Sequence, residues 1–175
     1  MLVTFYIAAV VAVLATCLAI TRTNAVHALL YLIVSLISVA IVFFVMGAHF
    51  IAALEIIVYA GAIMVLFIFV VMMLNIGSET EGHTPKWLAP KAWGGPAILS
   101  IILFAELIYM ISAKDSLPSD PSVITPKQVG ISLYTGYLLG VELAAVMLMA
   151  GIVGAYHIGR VKRKSKHRFL EGEQL

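Results

Sequence analysis

The sequence predicts an all-α integral membrane protein that crosses the bilayer five times. Its 175 residues are 62% hydrophobic and 11% charged, whereas a soluble domain carries roughly 25% charged residues. Five apolar segments, each near the ~20 residues that span a bilayer, cover about residues 2–20, 28–46, 50–74, 97–112 and 136–158. We therefore expect one five-helix membrane domain at residues 1–160 and a short tail at residues 161–175.

The first three segments are joined by very short polar connections. Residues 21–24 form a tight turn between the first and second segments, and residues 47–49 join the second to the third. Connections of this length can only link antiparallel neighbours. The third segment is the longest and contains a single charge. We expect it to end at the Asn-Ile-Gly sequence of residues 75–77, which is a typical helix C-terminus.

Longer connections flank the fourth segment. Residues 78–91 are polar, and Gly-Gly-Pro at residues 94–96 is expected to open the helix, because a first helical turn tolerates proline. Residues 114–127 hold three prolines among Ser and Asp residues and predict an extended, solvent-exposed loop. The fifth segment then starts at Gly136.

The distribution of basic residues predicts the orientation. Six of the eleven Lys and Arg residues lie at positions 160–168. Because cytoplasmic flanks of membrane helices carry excess positive charge, this cluster places the C-terminus in the cytoplasm. Five spans then place the N-terminus in the periplasm. A basic cluster at the end of a spanning helix indicates contact with the lipid surface and not with nucleic acid.

Three acids are the only charged residues inside the apolar segments: Glu55, Glu106 and Glu142. A charge at the centre of a membrane helix costs roughly 2.5–3.5 kcal/mol on insertion scales. Glu55 is either a protonatable group in a proton route or a neutral acid that bonds a neighbouring helix as structural glue. Tyr59, one turn further along, is either its relay partner or a packing residue.

The other two acids and a set of small residues favour helix packing. Glu142 lies near the start of its helix, where an interfacial acid and a proton-path residue are equally compatible with the sequence. For Glu106 we expect an interfacial or inter-subunit hydrogen bond. Small residues recur on the fifth segment and allow close helix–helix approach; they are Gly136, Gly140, Ala144 and Gly151.

Motifs of independent catalysis are absent from the sequence. It has no Gly-rich phosphate loop and no nucleophile–base pair, and its single cysteine and five scattered histidines offer no metal or iron–sulfur spacing. We therefore expect no cofactor on this chain and no catalytic site of its own. A five-helix protein with buried acids and no site is typical of one subunit in a larger complex.

Four blocks of sequence closely resemble a known family. Residues 27–44, 95–100, 141–160 and above all 53–75, with ALEIIVYAGAIMVLF, are similar to subunit J of bacterial NADH–quinone oxidoreductase, respiratory complex I. The mitochondrial counterpart of that family is complex I subunit 6. The resemblance extends over roughly residues 1–160, in register with the five spans.

The resemblance implies a function and a set of partners. It implies a membrane-arm subunit of the bacterial inner membrane, between the quinone-reducing module and the antiporter-like pumps. FMN, iron–sulfur clusters and quinone would belong to the assembled enzyme, which couples electron transfer from NADH to quinone with proton pumping. Two alternatives stay open: a subunit of a multisubunit cation/proton antiporter, and a purely structural scaffold within complex I.

The resemblance also implies a moving part. The third helix of this family can carry a π-bulge, here at the positions from Tyr59 to Val65, whose rotation makes or breaks a water path. Gly61 in this stretch weakens an α-helix by roughly 1 kcal/mol relative to alanine. The candidate proton path and gate are therefore Glu55, Tyr59, Gly61, Val65 and Glu142. Glu106 is not part of the family pattern.

Overall fold

The predicted all-α class is confirmed. A computed structural model describes residues 2–74, 90–112 and 123–160, and all elements in these ranges are helices. Five of them are long and apolar enough to cross a membrane. The helices are α1 (Leu2–Thr21), α2 (Ala25–Val45), α3 (His49–Leu74), α4 (Pro90–Ser112), α5 (Pro126–Thr135) and α6 (Leu138–Gly159).

The turn between α1 and α2 is closed by a side-chain cap. Asn24 Oδ1 accepts hydrogen bonds from the amides of Val26, at 3.0 Å, and His27, at 3.4 Å. An asparagine in this position satisfies amides that have no partner within the helix. For this reason α2 begins at Ala25, three residues before the predicted start.

The turn between α2 and α3 is a Schellman motif. The Gly47 amide donates to the Phe44 carbonyl at 3.1 Å, and the Ala48 amide donates to the Phe43 carbonyl at 3.0 Å. Gly47 has a φ of 84°, a left-handed conformation in which a Cβ is unfavourable. The predicted antiparallel hairpin thus forms with a turn of three residues, 46–48.

The predicted start of the fourth helix is wrong. Helix α4 begins at Pro90, and Pro96 lies inside it and is buried. Pro90 occupies the first helical position, where a missing amide costs nothing. Pro96 lacks the amide for one intrahelical hydrogen bond, but the helix continues to Ser112.

Helix α5 was not predicted. Pro126, assigned from the sequence to an extended loop, is the first residue of α5. Gly136 and Tyr137 form the turn that follows, and both amides donate to the Ser132 carbonyl at 3.1 Å. The last span therefore starts at Leu138, two residues later than predicted. The described residues from Lys127 to Arg160 belong to a second compact unit.

Several predictions lie outside the described residues. They concern the helix end at residues 75–77, the loop up to residue 89, the proline-rich connection up to residue 122, and the tail beyond Arg160. The predicted orientation in the membrane depends on that tail and stays a prediction.

The core of the first unit is a three-helix packing of α1, α2 and α4. Helix α2 packs against α1, α3 and α4, and α1 also contacts α4. Small residues and hydroxyls bring α1 and α2 together: Ser38 Oγ donates to the Ala8 carbonyl at 2.6 Å, and Ser35 Oγ lies 2.7 Å from Thr16 Oγ1. Such interhelical hydrogen bonds contribute about 0.6 kcal/mol each in membranes. The buried apolar cluster consists of Ala8, Val11, Ala15, Val34, Ile41 and Leu103.

A buried tyrosine near the start of α2 packs against α4. Tyr31 is 3% exposed, and its ring lies so close to Gly95 that a Cβ there would overlap the phenol oxygen. Arg22, in the α1–α2 turn, lies with its guanidinium carbon 5.2 Å from the ring centroid and donates to the Tyr31 hydroxyl at 3.5 Å. Gly95 is thus required for this close approach.

Candidate functional site

A π-helical segment interrupts α3. The helix is α-helical from His49 to Leu54, π-helical from Glu55 to Ile63, and α-helical again from Met64 to Leu74. At the far end of the segment, the Met64 amide donates to the carbonyl of Tyr59, five residues earlier. That i→i−5 bond defines a π-helix, a rare form that is frequent at functional sites.

The π-bulge predicted in this helix is confirmed, with different bounds. The predicted interval ran from Tyr59 to Val65, whereas the segment begins at Glu55 and ends at Ile63. Val65 therefore lies in the α-helical part that follows. The π segment starts at Glu55, the one acid of α3, and this start was not predicted from the sequence.

Gly61 has little room for a side chain. A Cβ built on Gly61 would lie 3.1 Å from the carbonyl oxygen of Ile56, five residues earlier on the same helix. Few Cβ atoms approach an oxygen so closely, so a side chain at this position requires the Ile56 carbonyl to shift by a few tenths of an ångström. The absence of a Cβ therefore favours the π geometry.

Glu55 lies at the edge of the contact between α3 and α2. The side chain is half-buried, and Ala52, one turn earlier, is buried. Within the described part of the chain, Glu55 makes no side-chain hydrogen bond or ion pair. Tyr59 is 50% exposed, and no hydrogen bond joins it to Glu55 in these ranges. The structure thus shows no direct bond between the two side chains, and both alternatives for Tyr59, relay partner and packing residue, stay predictions.

The part of α3 after the π segment is largely exposed. Met64 is buried, but Val65 is 64% exposed and the Phe67 and Phe69 rings are also exposed. These apolar side chains therefore need lipid or other membrane helices to cover them.

The remaining predicted residues lie in the second unit. Glu142 is exposed on α6, as are the small residues Gly140, Ala144 and Gly151. Gly136 lies in the turn before α6, so it is not on the same helix as the other three. The roles of Glu142 in a proton path and of the small residues in packing stay predictions.

Glu106 was expected to make an interfacial or inter-subunit hydrogen bond, and that role stays a prediction. The side chain is 8% exposed, and the chain's own helices bury it. Neither carboxyl oxygen has a hydrogen-bond partner among the described residues. The spacing of Pro96, Leu99, Leu103, Glu106 and Met110 along α4 places these residues on one helical face. That spacing shows which residues share a face with Glu106, but it does not show which face of α4 enters the core.

Comparison with known proteins identifies the family. The family model for NADH-ubiquinone/plastoquinone oxidoreductase chain 6 matches residues 15–158. The chain belongs to this family. The matched residues include the whole π segment and all three acids.

The curated relatives cover nearly the full chain. NADH-quinone oxidoreductase subunit J of Escherichia coli K12 is 54% identical over 91% of this chain and 86% of its own length. Subunit J of Pseudomonas aeruginosa is 53% identical over 91% of this chain and 97% of its own length. Subunit J of Buchnera aphidicola from Schizaphis graminum is 46% identical over 91% and 98%. The resemblance found in the sequence is thus confirmed.

Proposed function

We propose that this chain is a membrane-arm subunit of a proton-translocating NADH–quinone oxidoreductase of the bacterial inner membrane. Family membership and five helices able to cross a membrane support this assignment. FMN, iron–sulfur clusters and quinone are bound by other subunits, and this chain contributes no catalytic site. Its role is to couple electron transfer from NADH to quinone with proton pumping, through a conformational gate in α3.

The observation that carries the proposal is the π segment from Glu55 to Ile63. Conversion between π and α geometry adds or removes one residue from a turn, which rotates the rest of the helix by roughly 100°. The proposed gate consists of these two arrangements of α3, of which the structure contains the π one. A two-state element of this kind is what a switch requires, provided that the reaction favours one state.

Rotation would act on the part of α3 that follows the segment. Ala52, before the segment, is buried against the rest of the chain and anchors the first turns. Val65, Phe67 and Phe69 follow it and are exposed. In the assembled complex these bulky side chains would move into or out of a water path beginning at Glu55. Protons would pass in one state and be blocked in the other.

The exposed apolar surfaces indicate where partners bind. The second half of α3 and most of α6 expose large apolar side chains. In the complex, other membrane subunits and lipid cover them, with the quinone module on one side and the antiporter-like subunits on the other. Purification of the intact complex tests this assignment, because FMN and iron–sulfur subunits should co-purify with the chain.

Substitution of Glu55 by glutamine should reduce proton pumping while the complex still assembles. Glutamine keeps the size and hydrogen-bonding capacity of a neutral acid but cannot release a proton. We expect the rate of proton pumping to fall by less than roughly tenfold, which corresponds to less than about 1.4 kcal/mol, because water paths can bypass one group. NADH-driven proton uptake by membrane vesicles measures pumping, and native gels measure assembly.

The matched variant Glu55→Ala separates a proton-path role from a structural role. If Glu55→Gln pumps like the wild type while Glu55→Ala prevents assembly, Glu55 has a structural role and is not part of the proton path. A parallel loss of pumping in both variants, with intact assembly, supports the proton-path role.

A further inference from the structure

The buried polar side chains of the described residues all lie in the three-helix core. They are Thr4, Ser35, Ser38 and Glu106, from α1, α2 and α4. Ser35 and Ser38 donate hydrogen bonds to the Ala12 and Ala8 carbonyls of α1. Glu106 is different, because both of its carboxyl oxygens are buried and have no hydrogen-bond partner in the described ranges.

Glu106 is enclosed by its own chain. It lies on the face of α4 that carries Leu103, a member of the buried cluster, and Leu99 and Met110, which pack against it. Since α1 and α2 cover this face, a lysine or arginine of another subunit could reach the carboxyl only by displacing these helices. A proton can bind to Glu106 without such a displacement.

The helices that cover Glu106 supply no counter-ion. Neither Leu2–Thr21 nor Ala25–Val45 contains an Asp, Glu, Lys or Arg residue. Their titratable groups are few: Tyr6 and Cys17 of α1 are exposed, and His27 and Tyr31 lie near the start of α2. An ionised carboxylate without a counter-ion or donor is costly in such a core, whereas a neutral acid needs only an acceptor for its proton.

Helix register places a hydroxyl at the depth of Glu106. Tyr31 of α2 contacts Gly95 of α4, and α2 has only six residues before Tyr31. If α4 ran antiparallel to α2, Met110 would lie beyond the start of α2, yet Met110 packs against the core. Helix α4 therefore runs in the same direction as α2, and Glu106, eleven residues after Gly95, lies at the level of residue 42, eleven residues after Tyr31.

The same argument places α1. Ser38 bonds to the Ala8 carbonyl of the antiparallel helix α1, so residue 42 lies at the level of Thr4, one turn further along both helices. Thr4 is buried and lies two residues from the start of α1. It is the buried hydroxyl at the depth of Glu106 and is close to one membrane surface.

We propose that Glu106 is a second proton-binding site, located in the core of α1, α2 and α4, and that it exchanges its proton through the Thr4 hydroxyl. During exchange the carboxyl O–H donates to Thr4 Oγ1, a contact that forms only when the side chains move, because neither Glu106 oxygen has a partner among the described residues at rest. When Thr4 takes up this proton, it releases its own hydroxyl proton outward, so one proton leaves for each one received. The site does not depend on any movement of α3.

The depth of the site matches that of Glu55. Glu55 lies six residues after the start of α3, and Glu106 lies six residues before the end of α4. Each is therefore about 9 Å from its helix end on the same side of the bundle, at 1.5 Å per residue. Two carboxyl groups thus lie at one depth, on helices that both pack against α2.

Infrared spectroscopy of the purified complex tests proton binding. We expect the wild-type complex to show a protonated-carboxyl C=O band that is lost in Glu106→Gln and changes frequency in Glu106→Asp. The aspartate variant keeps the test valid if the glutamine variant fails to assemble. If neither variant changes a protonated-carboxyl band, Glu106 is not protonated and the proposal is wrong.

Hydrogen–deuterium exchange of the same band tests the route. In D2O the band should shift as the proton is replaced. Thr4→Val should slow this shift roughly tenfold, as expected when one hydrogen bond in the route is lost, whereas Thr4→Ser, which keeps the hydroxyl, should not slow it. A band that never shifts in D2O would contradict exchange, and an unchanged rate in Thr4→Val would contradict the role of Thr4.

Discussion

Replacement of Gly61 by valine should abolish most of the coupled NADH oxidation and proton pumping while leaving the complex assembled. A Cβ at this position would lie 3.1 Å from the Ile56 carbonyl oxygen, and the γ-methyl groups of valine add bulk beside it. The substitution therefore favours α geometry over the π geometry of the structure. A switch held in one state cannot couple, although the redox reactions at other subunits can still occur.

The measurements for Gly61→Val separate coupling from assembly. NADH oxidation with an artificial electron acceptor reports the NADH-oxidising head alone and should be near the wild-type rate, whereas quinone-dependent oxidation and proton uptake should fall together. The matched control is Gly94→Val, because a Cβ on Gly94 meets no atom within 4 Å. Normal pumping in Gly61→Val would show that the π geometry at this position is not needed.

Replacement of Gly95 by alanine should destabilise the packing of α4 against α2. The new Cβ would overlap the Tyr31 hydroxyl oxygen and lie 3.0 Å from Cζ of the same ring. Tyr31 is buried and held by Arg22, so the ring cannot move aside freely. Forcing an extra carbon into a packed core costs about 1–3 kcal/mol. We expect a lower melting temperature of the complex and reduced incorporation of this subunit.

A second substitution identifies the clash. Tyr31→Phe removes the hydroxyl oxygen that the new Cβ would overlap, so Gly95→Ala combined with Tyr31→Phe should regain part of the lost stability. The rescue is partial, because Cζ remains close. Gly94→Ala, one residue earlier and in open space, is the control and should be neutral. If Gly95→Ala is as stable as this control, α4 does not pack on Tyr31 as described.

Hydropathy predicted the spans well because each one is a long apolar stretch. The ends of the helices were less predictable, since they depend on single side chains. Because Asn24 caps α2, this helix starts before the predicted position. Helix α4 likewise starts at Pro90, before the Gly-Gly-Pro sequence at which its start was predicted. Helix α5 was missed because Pro126 was assigned to a loop, although proline is also favoured as the first residue of a helix.

The candidate site was predictable only in part. Glu55 is visible in the sequence as a lone acid in an apolar run, and its importance follows from the cost of burial. The π segment came from the family resemblance, because π and α geometry differ by one step in hydrogen-bond register, which residue composition does not encode. The burial of Glu106 depends on which face of α4 meets α1 and α2, and that face is set by tertiary packing.

The state of α3 in the working enzyme tests the gate most directly. Structures of the assembled complex should be determined at rest and during turnover with NADH and quinone. We expect π geometry between Glu55 and Ile63 in one population and unbroken α geometry in another, with Met64–Leu74 rotated by roughly 100° between them. If every population shows the same π segment and the same rotation of the residues after it, α3 is a scaffold and the proposed coupling role is wrong.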